Sequence, residues 1–126
     1  MREAIAPPGG PRTLGPYSPA VRAGNLLFHS GQIPLNPATG DIVQGDIAAQ
    51  TEQVMRNIDA LLNAAGAGFA HVVRMTVFMA DLTEFEAMNA VYARFVGTPP
   101  PTRATVQVAR LPRDVKVEID AIAVMD

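Results

Sequence analysis

The feature that most constrains the fold of this chain is the alternation of apolar and polar residues near its C-terminus. Two runs between residues 101 and 126 alternate with a period of two, which is typical of β-strands with one buried face. Their apolar positions are Ala104, Val106 and Val108 in the first run and Val115, Val117, Ile119 and Ala121 in the second. The breaker from Arg110 to Arg113 separates the runs, so the pattern predicts two adjacent antiparallel strands joined by a four-residue loop.

The less apolar face of these two strands carries residues that could perform chemistry. In the predicted pairing, cross-strand neighbours share a face, so Thr105 lies opposite Glu118 and Arg103 lies one diagonal step away. An arginine fork suits a substrate carboxylate, and a nearby glutamate suits the handling of water or protons. The alternative is a surface ion pair, which contributes about 0–1 kcal/mol to stability. Spacing alone favours the ion pair.

The rest of the chain alternates short strands with two helices. The Pro- and Gly-rich residues 1 to 16 are predicted to form an extended surface arm. Strands are predicted at residues 20 to 23, 26 to 30 and 71 to 80, and a loop at residues 34 to 45. The first helix is predicted to begin after an N-cap at Asp46 and to end at about Ala65. The second is predicted to begin at a capping box of Thr83 and Glu86 and to end at Gly97. The mostly apolar run from 71 to 80 is typical of a central strand covered on both faces.

The order β-β-α-β-α-β-β predicts one α+β domain spanning residues 1–126. We expect a two-layer sandwich, in which a mixed sheet carries two helices on one face. Because nothing in the chain remains to cover the other face, a partner subunit is the expected cover. The hydrophobic content of 48% is high for a small single domain and also favours an oligomer.

Composition restricts the partners. The net charge is −2 and only Lys116 among the ten basic residues is a lysine, which argues against avid binding of nucleic acid. The absence of cysteine excludes disulfides and thiolate metal sites and suits a reducing compartment. No stretch is long and apolar enough to cross a bilayer, so a cytoplasmic location is expected.

Other candidate motifs have plain structural explanations. His29 and His71 lack partners at metal-ligand spacing, so no metal site is predicted. Ser30 lacks the strand–turn–helix setting of a nucleophilic serine and is a binding group at most. The glycines at 66 and 68 follow a helix instead of a strand, which indicates a helix stop and excludes a dinucleotide-binding loop.

Three blocks of sequence resemble the RidA/YjgF family of imine deaminases. The first block is G-P-Y-S-P-A-V at Gly15 to Val21, followed by G-N-L-L-F-H-S-G-Q-I-P at Gly24 to Pro34. The second is V-F-M-A-D-L at a strand end, followed by M-N-A-V-Y at Met88 to Tyr92. The third begins at Arg103 and reads R-A-T-V-Q-V-A-R-L-P-R-D-V-K-V-E-I-D-A-I-A. The third block is the most specific. The resemblance covers nearly the whole chain from Gly15 onward.

The resemblance implies a chorismate-mutase-like fold and homotrimers with clefts between subunits. It also implies hydrolysis of reactive 2-imino acids to 2-keto acids and ammonia, with no metal or organic cofactor. Carried over by position, the carboxylate-binding arginine is Arg103 and the water-positioning glutamate is Glu118. The remaining substrate-binding positions are Tyr17, Ser30, Gly31, Asn89 and Thr105. Many members have cysteine where this chain has Thr105, a position expected to contact substrate mainly through its backbone, so the exchange is not expected to remove activity.

Three functions are open at this stage. The leading hypothesis is an imine deaminase that clears 2-aminoacrylate and 2-iminobutyrate released by pyridoxal-phosphate enzymes. A ribonuclease or translation inhibitor, a label attached to some family members, is supported best by Arg110 and Arg113, but the acidic balance argues against it. A non-catalytic ligand-binding or chaperone-like module, as suspected for relatives without the key arginine, is disfavoured by Arg103 together with Glu118.

Overall fold

The computed structural model describes residues 1–10, residue 13 and residues 15–126. The strands are β1 (Arg2–Ile5), β2 (Ala20–Ala23), β3 (Leu26–Gln32), β4 (Val72–Met79), β5 (Thr102–Gln107) and β6 (Val117–Val124), and the helices are α1 (Ile47–Ala64) and α2 (Phe85–Tyr92). All six strands form one sheet in the order β1-β2-β3-β6-β4-β5. Neighbouring strands are antiparallel except β4 and β5, which are parallel. The predicted α+β class, a mixed sheet with two helices on one face, is confirmed.

The long helix α1 begins and ends where the sequence predicts. Asp46 is its N-cap, and its Oδ1 accepts a hydrogen bond of 2.9 Å from the backbone N–H of Ala49. Gly66 follows the helix with φ of +80°, a conformation that glycine adopts without strain. The buried stripe of the helix includes Val54, Ile58 and Leu61, at helical spacing. This stripe packs on the sheet.

The face of the sheet that the helices cover is built from every second residue of the central strands. Paired residues point to the same face, so Met75 and Val77 of β4 lie beside Ala121 and Ile119 of β6. The fully buried side chains that meet there from strands and helices are Leu27, Val54, Met55, Ile58, Leu61, Leu62, Met75, Val77, Met79, Met88, Val117 and Ile119. This single core orients both helices relative to β4 and β5.

We call the opposite side of the sheet the bare face, because no element of the described chain packs against it. Phe28 of β3 lies beside Ile122 of β6 there, and Phe78 of β4 lies beside Val106 of β5. Phe28 is 42% exposed and Val106 is 40% exposed. The expectation that β4 is covered on both faces is therefore wrong for one chain. Its residues alternate, and only Met75, Val77 and Met79 line the core in its second half.

The predicted hairpin between the two C-terminal strands is wrong. β5 pairs in parallel with β4, which puts Arg103 beside Met75, whereas β6 pairs with the other side of β4 and puts Glu118 beside Phe78. The cause is topological: α2 connects β4 to β5 as a crossover, and a crossover joins parallel strands. Alternation fixes which residues of one strand share a face, but it does not fix which strands are neighbours.

Three smaller predictions also need correction. The arm predicted at residues 1 to 16 contains a strand, because β1 pairs with β2; residues 11, 12 and 14 of that arm lie outside the described residues. The capping box of Thr83 and Glu86 does not form, since Asp81 accepts from the backbone and the hydroxyl of Thr83. The helix α2 ends at Tyr92, before the predicted stop at Gly97. In the described chain, no helix has both the length and the apolar character that crossing a membrane requires.

Candidate functional site

The fold divides the predicted site residues into two groups on opposite faces of the sheet. Arg103 and Thr105 pair with Met75 and Val77, so their side chains point to the face that the helices cover. Glu118 pairs with Phe78 and points to the bare face. Strand β4 separates the two strands by roughly 10 Å, twice the usual strand spacing. A small substrate therefore cannot contact both Arg103 and Glu118 of one chain.

The guanidinium of Arg103 is enclosed by side chains of α2. Nη1 of Arg103 donates a hydrogen bond of 2.7 Å to Oδ1 of Asn89. Cζ lies 4.9 Å from the ring centroid of Tyr92 and 5.4 Å from that of Phe85, within the range of cation–π attraction. Phe85, Asn89 and Tyr92 are four and three residues apart, so they share one face of the helix. We call these three residues the α2 clamp.

The α2 clamp is itself held by the core. Tyr92 is only 5% exposed, and its hydroxyl donates to Sδ of Met75 at 3.3 Å. Burial raises the pKa of Tyr92, an effect that the nearby Arg103 cation opposes, so the phenol stays neutral in the physiological range. Thr105 lies two residues after Arg103 on β5, and its buried hydroxyl has no hydrogen-bond partner among the described residues. That hydroxyl faces the interior of the chain.

The backbone of β5 forms an open edge of the sheet beside Arg103. The backbone N–H of Val108 donates to the carbonyl of Met79. Because the backbone groups of successive residues in a strand alternate in direction, every second residue counted back from Val108 forms its backbone hydrogen bonds with β4. The backbone groups of Arg103, Thr105 and Gln107 therefore point outward, away from the sheet. A ligand at this edge would meet the guanidinium and the backbone N–H of Thr105 together.

The carboxylate of Glu118 lies against the backbone of Gly31. A β-carbon at position 31 would stand 2.0 Å from Oε2 of Glu118 and 2.8 Å from its Cδ, so only glycine leaves room for this conformation. The contact occurs where the pairing of β3 with β6 is irregular, between His29 and Gln32. Such irregularities redirect side chains near functional sites. Here the irregularity brings Gly31 to Glu118.

The environment of Glu118 disfavours its charged form. Burial, and secondarily the carboxylate of Asp120, raise its pKa above the ordinary value. Asp120 is two residues along β6 and therefore lies on the same face. A carboxyl group with a raised pKa can accept a proton from water and return it within one reaction.

Ser30 and Tyr17 both lie near Gly31, the residue that contacts Glu118. The Ser30 hydroxyl donates to the carbonyl of Ser18 at 2.7 Å, and the Ser30 N–H donates to the carbonyl of Pro19. Tyr17 is 50% exposed and lines a cavity of about 380 Å³ together with Gly31. Two half-sites result: Arg103, Thr105 and Asn89 form one, and Glu118, Gly31, Ser30 and Tyr17 form the other.

Sequence reasoning missed the roles of three residues. The spacing of Phe85 and Tyr92 with Asn89 is a signal that the sequence offers for the α2 clamp. The position of Asp120, two residues after Glu118 in an alternating strand, is the corresponding signal for its effect on that carboxyl group. The predicted ion-pair alternative for Arg103 and Glu118 is excluded, because the two groups lie on opposite faces. Across residues 1–10, 13 and 15–126, no group of three or more His, Asp or Glu side chains could hold a metal ion.

Comparison with known proteins gives consistent matches along the chain. Residues 9–125 match the family described as Endoribonuclease L-PSP. The chain is 56% identical to Protein DfrA of Myxococcus xanthus, over 98% of this chain and 95% of that protein. It is 46% identical to the 2-iminobutanoate/2-iminopropanoate deaminase of Escherichia coli strain K12, over 98% of each. The structure of E. coli TdcF with bound serine superposes with a TM-score of 0.91 at 42% identity, covering 98% of this chain and 99% of that one.

Proposed function

Because this chain belongs to the endoribonuclease L-PSP family, which includes the Rid deaminases, we propose that it hydrolyses reactive 2-imino acids. The substrates would be 2-aminoacrylate, in its imine form, and 2-iminobutyrate, and the products would be 2-keto acids and ammonia. The observation that carries the proposal is the pair of complementary half-sites. One offers a clamped guanidinium beside outward backbone groups, and the other offers a half-buried carboxyl with a raised pKa.

The complete site forms between two copies of the chain. Arg103 and Glu118 cannot meet within one chain, because β4 lies between their strands and they point to opposite faces. The bare face that carries Glu118 is uncovered and exposes apolar side chains, and the half-site of Arg103 lies at the outer edge of the sheet. Docking the β5 edge of one copy on the bare face of another would bury the exposed Phe28 and Val106 and bring the half-sites together.

This contact joins two different surfaces, so it is heterologous and leaves an unused surface on each copy. Such contacts close into a ring when the rotation between copies closes, and otherwise form an open filament. We propose a homotrimer with three equivalent sites. The high hydrophobic content of 48% agrees with an apolar face that is buried in the assembly.

The residues of the two half-sites suit the chemistry of a 2-imino acid. Arg103 would bind the substrate carboxylate by two parallel hydrogen bonds, which orients the adjacent C=N carbon. Glu118 would take a proton from water as the water oxygen bonds to that carbon, and would return the proton to the nitrogen. The C–N bond then breaks as the C=O bond forms, so one water and one iminium ion give one keto acid and one ammonium ion. The serine bound to E. coli TdcF, which has a carboxylate next to a nitrogen-bearing carbon, supports this substrate class.

Coupled turnover tests the activity. Threonine dehydratase generates 2-iminobutyrate from threonine, and semicarbazide traps the imine that escapes hydrolysis. We expect the protein to shift the yield from semicarbazone to 2-ketobutyrate, and Arg103→Ala to lose on the order of 10²-fold or more of this activity. Arg56→Ala, which removes an exposed arginine of α1, is the matched control. Turnover that survives in Arg103→Ala would place the activity elsewhere.

Subunit mixing tests the shared site. Arg103→Ala and Glu118→Gln chains should each be inactive alone, because every interface lacks one group. Co-expressed chains that assemble at random should regain activity, since about a quarter of the interfaces then combine an intact Arg103 with an intact Glu118. A co-expressed sample with no more activity than the separate variants would exclude an intersubunit site.

The name of the family suggests cleavage of RNA as a second activity. The two arginines that best support it are already engaged, because Arg110 forms an ion pair with Asp114 and Arg113 donates to the carbonyl of Gly40. The deaminase is therefore the proposed function. Cleavage of RNA by the wild type and by Arg103→Ala alike, without turnover of 2-iminobutyrate, would favour the ribonuclease.

A further inference from the structure

The α2 clamp restricts Arg103 in two independent ways. The rings of Phe85 and Tyr92 lie near its cation at 5.4 Å and 4.9 Å and limit where the guanidinium can move. Asn89 accepts one N–H from Nη1 at 2.7 Å and limits rotation within the guanidinium plane. Because an arginine side chain loses rotamer entropy when it is fixed, a clamp that fixes it beforehand removes part of that cost from ligand binding.

The chemistry of the contact determines how the Asn89 amide is oriented. Arginine has five N–H donors and no acceptor, so the amide oxygen of Asn89 must face it. One of the two lone pairs of that oxygen is thereby used by Arg103. The hydrogen bond uses one donor of Arg103 and leaves its other N–H groups for a carboxylate.

We propose that Asn89 is a positioning residue that acts on the substrate through Arg103, by fixing which N–H groups of the guanidinium face the ligand. This inference rests on the proposed function for the identity of the ligand, an α-carboxylate. It reassigns Asn89, which the sequence predicts to be a substrate-binding residue. Within this inference Phe85 and Tyr92 confine the guanidinium and Asn89 sets its rotation.

Nitrogen NMR of the arginine side chains in the ligand-free protein tests the positioning role directly. In the wild type, we expect slow exchange between the two Nη positions of Arg103, because one is tethered. Asn89→Ala should accelerate this exchange at least several-fold. Asn89→Asp should keep it slow, because a carboxylate oxygen replaces the amide oxygen as acceptor. Asn63→Ala, the same chemical change at an exposed position of α1, is the matched control and should leave Arg103 unaffected.

A stable carboxylate then links the fixed guanidinium to binding. Titration with 2-oxobutanoate, the keto acid product of the proposed reaction, should give about tenfold weaker binding to Asn89→Ala, because Arg103 must then be fixed at the moment of binding. Asn89→Asp should also bind weakly, because its charge competes for the guanidinium. In turnover, Asn89→Ala should raise KM more than it lowers kcat.

The outcomes separate this inference from the proposed function. Unchanged Nη exchange in Asn89→Ala, fast exchange in Asn89→Asp, or faster exchange without weaker binding of 2-oxobutanoate would each overturn the positioning role. If the NMR and binding results are as expected but the wild type does not turn over 2-iminobutyrate, the positioning role stands and the deaminase proposal fails. If the wild type turns over 2-iminobutyrate while Asn89→Ala changes neither the Nη exchange nor the binding of 2-oxobutanoate, the deaminase proposal stands and the positioning role fails.

Discussion

The two half-sites differ in how their charged groups are held. Arg103 is surrounded by a hydrogen-bond acceptor and two aromatic rings of its own chain, all of which attract its guanidinium. Glu118 lies against a glycine backbone, and burial together with Asp120 disfavours its anion. The first half-site is therefore assembled before any partner arrives. The second holds a carboxyl group with a raised pKa and has an uncovered face beside it.

This difference matches the different tasks proposed for the two residues. A group that binds a carboxylate works best when its charge and direction are fixed, since reorganisation during binding costs free energy. A group that moves a proton works best when neither protonation state is strongly preferred. The predictions below disturb one half-site at a time.

The largest effect is expected from Gly31→Ala. The new methyl group would overlap the Glu118 carboxylate and move it by about 1 Å or more, which can cost on the order of 10²-fold in turnover. Binding of 2-oxobutanoate should change less than turnover, because Arg103, which is proposed to hold the carboxylate, keeps its own contact with Asn89. Gly68→Ala is the matched control, since a β-carbon there would have no neighbour within 4 Å. Equal losses in both variants would contradict a specific role for the Gly31 contact.

The next largest effect is expected from the protonation of His29, which lies on the strand that carries Gly31. This effect is on the free energy of unfolding. Its ring is buried on the covered face and both ring nitrogens lack hydrogen-bond partners among the described residues. Burial lowers its pKa from 6.5 to about 4. The unfolded chain therefore binds the proton first as pH falls, so stability is present above pH 6.5 and declines toward pH 4.

From these pKa values, His29 should remove about 2 kcal/mol of stability between pH 7 and pH 5. Urea unfolding of the wild type and His29→Leu at both pH values measures this contribution. The variant should lose less stability than the wild type over the interval. Parallel losses in the two proteins would show that His29 is not responsible.

Tyr92 tests the Arg103 half-site. Tyr92→Phe keeps the ring over the guanidinium, whereas Tyr92→Leu removes it and should weaken carboxylate binding by about tenfold, because a less confined guanidinium must be fixed on binding. The comparison of the two variants in a 2-oxobutanoate titration isolates the ring from the hydroxyl. Equal affinities would indicate that the aromatic face does not hold Arg103.

The smallest effect is expected from Asp120→Asn. Removing this carboxylate removes one of the two causes that raise the pKa of Glu118, while burial, the larger cause, remains. If Glu118 acts as a carboxylate, activity falls as pH falls through its pKa, so the acidic limb of the turnover profile should move to lower pH. The plateau rate should be nearly unchanged. An acidic limb that moves to higher pH, or not at all, would contradict this electrostatic coupling.

Much of the fold follows from local patterns in the sequence. The Asp46 cap, the stop at Gly66 and the alternation in β6 are each determined by neighbours within a few residues, and the structure confirms them. The neighbour relation of β4 and β5 is different, because it depends on how α2 crosses over the sheet. The pairing of β5 with β4 determines that Arg103 points to the face that the helices cover, whereas Glu118 points to the bare face. The predicted patch that combines Arg103, Thr105 and Glu118 on one face is therefore wrong for a single chain.

The components of the candidate site were easier to predict than their arrangement. Arg103 and Glu118 were identified by their residue types and by family resemblance, and both lie in environments suited to chemistry. The contact of Gly31 with Glu118 depends on an irregular register between β3 and β6, which no local pattern in the sequence records. The α2 clamp was visible as spacing, but only the parallel pairing shows that it faces Arg103.

The open edge of β5 also carries a risk of aggregation. Its outward N–H and C=O groups are those that an unrelated extended segment could pair with, extending the sheet into an insoluble polymer. Two features of the sequence oppose this: the three prolines that end at Pro101 cannot continue a ladder, and Arg103 places a charge within the strand. The same arginine that is proposed to recognise a metabolite would thus also help to keep a newly made chain from joining the wrong neighbours.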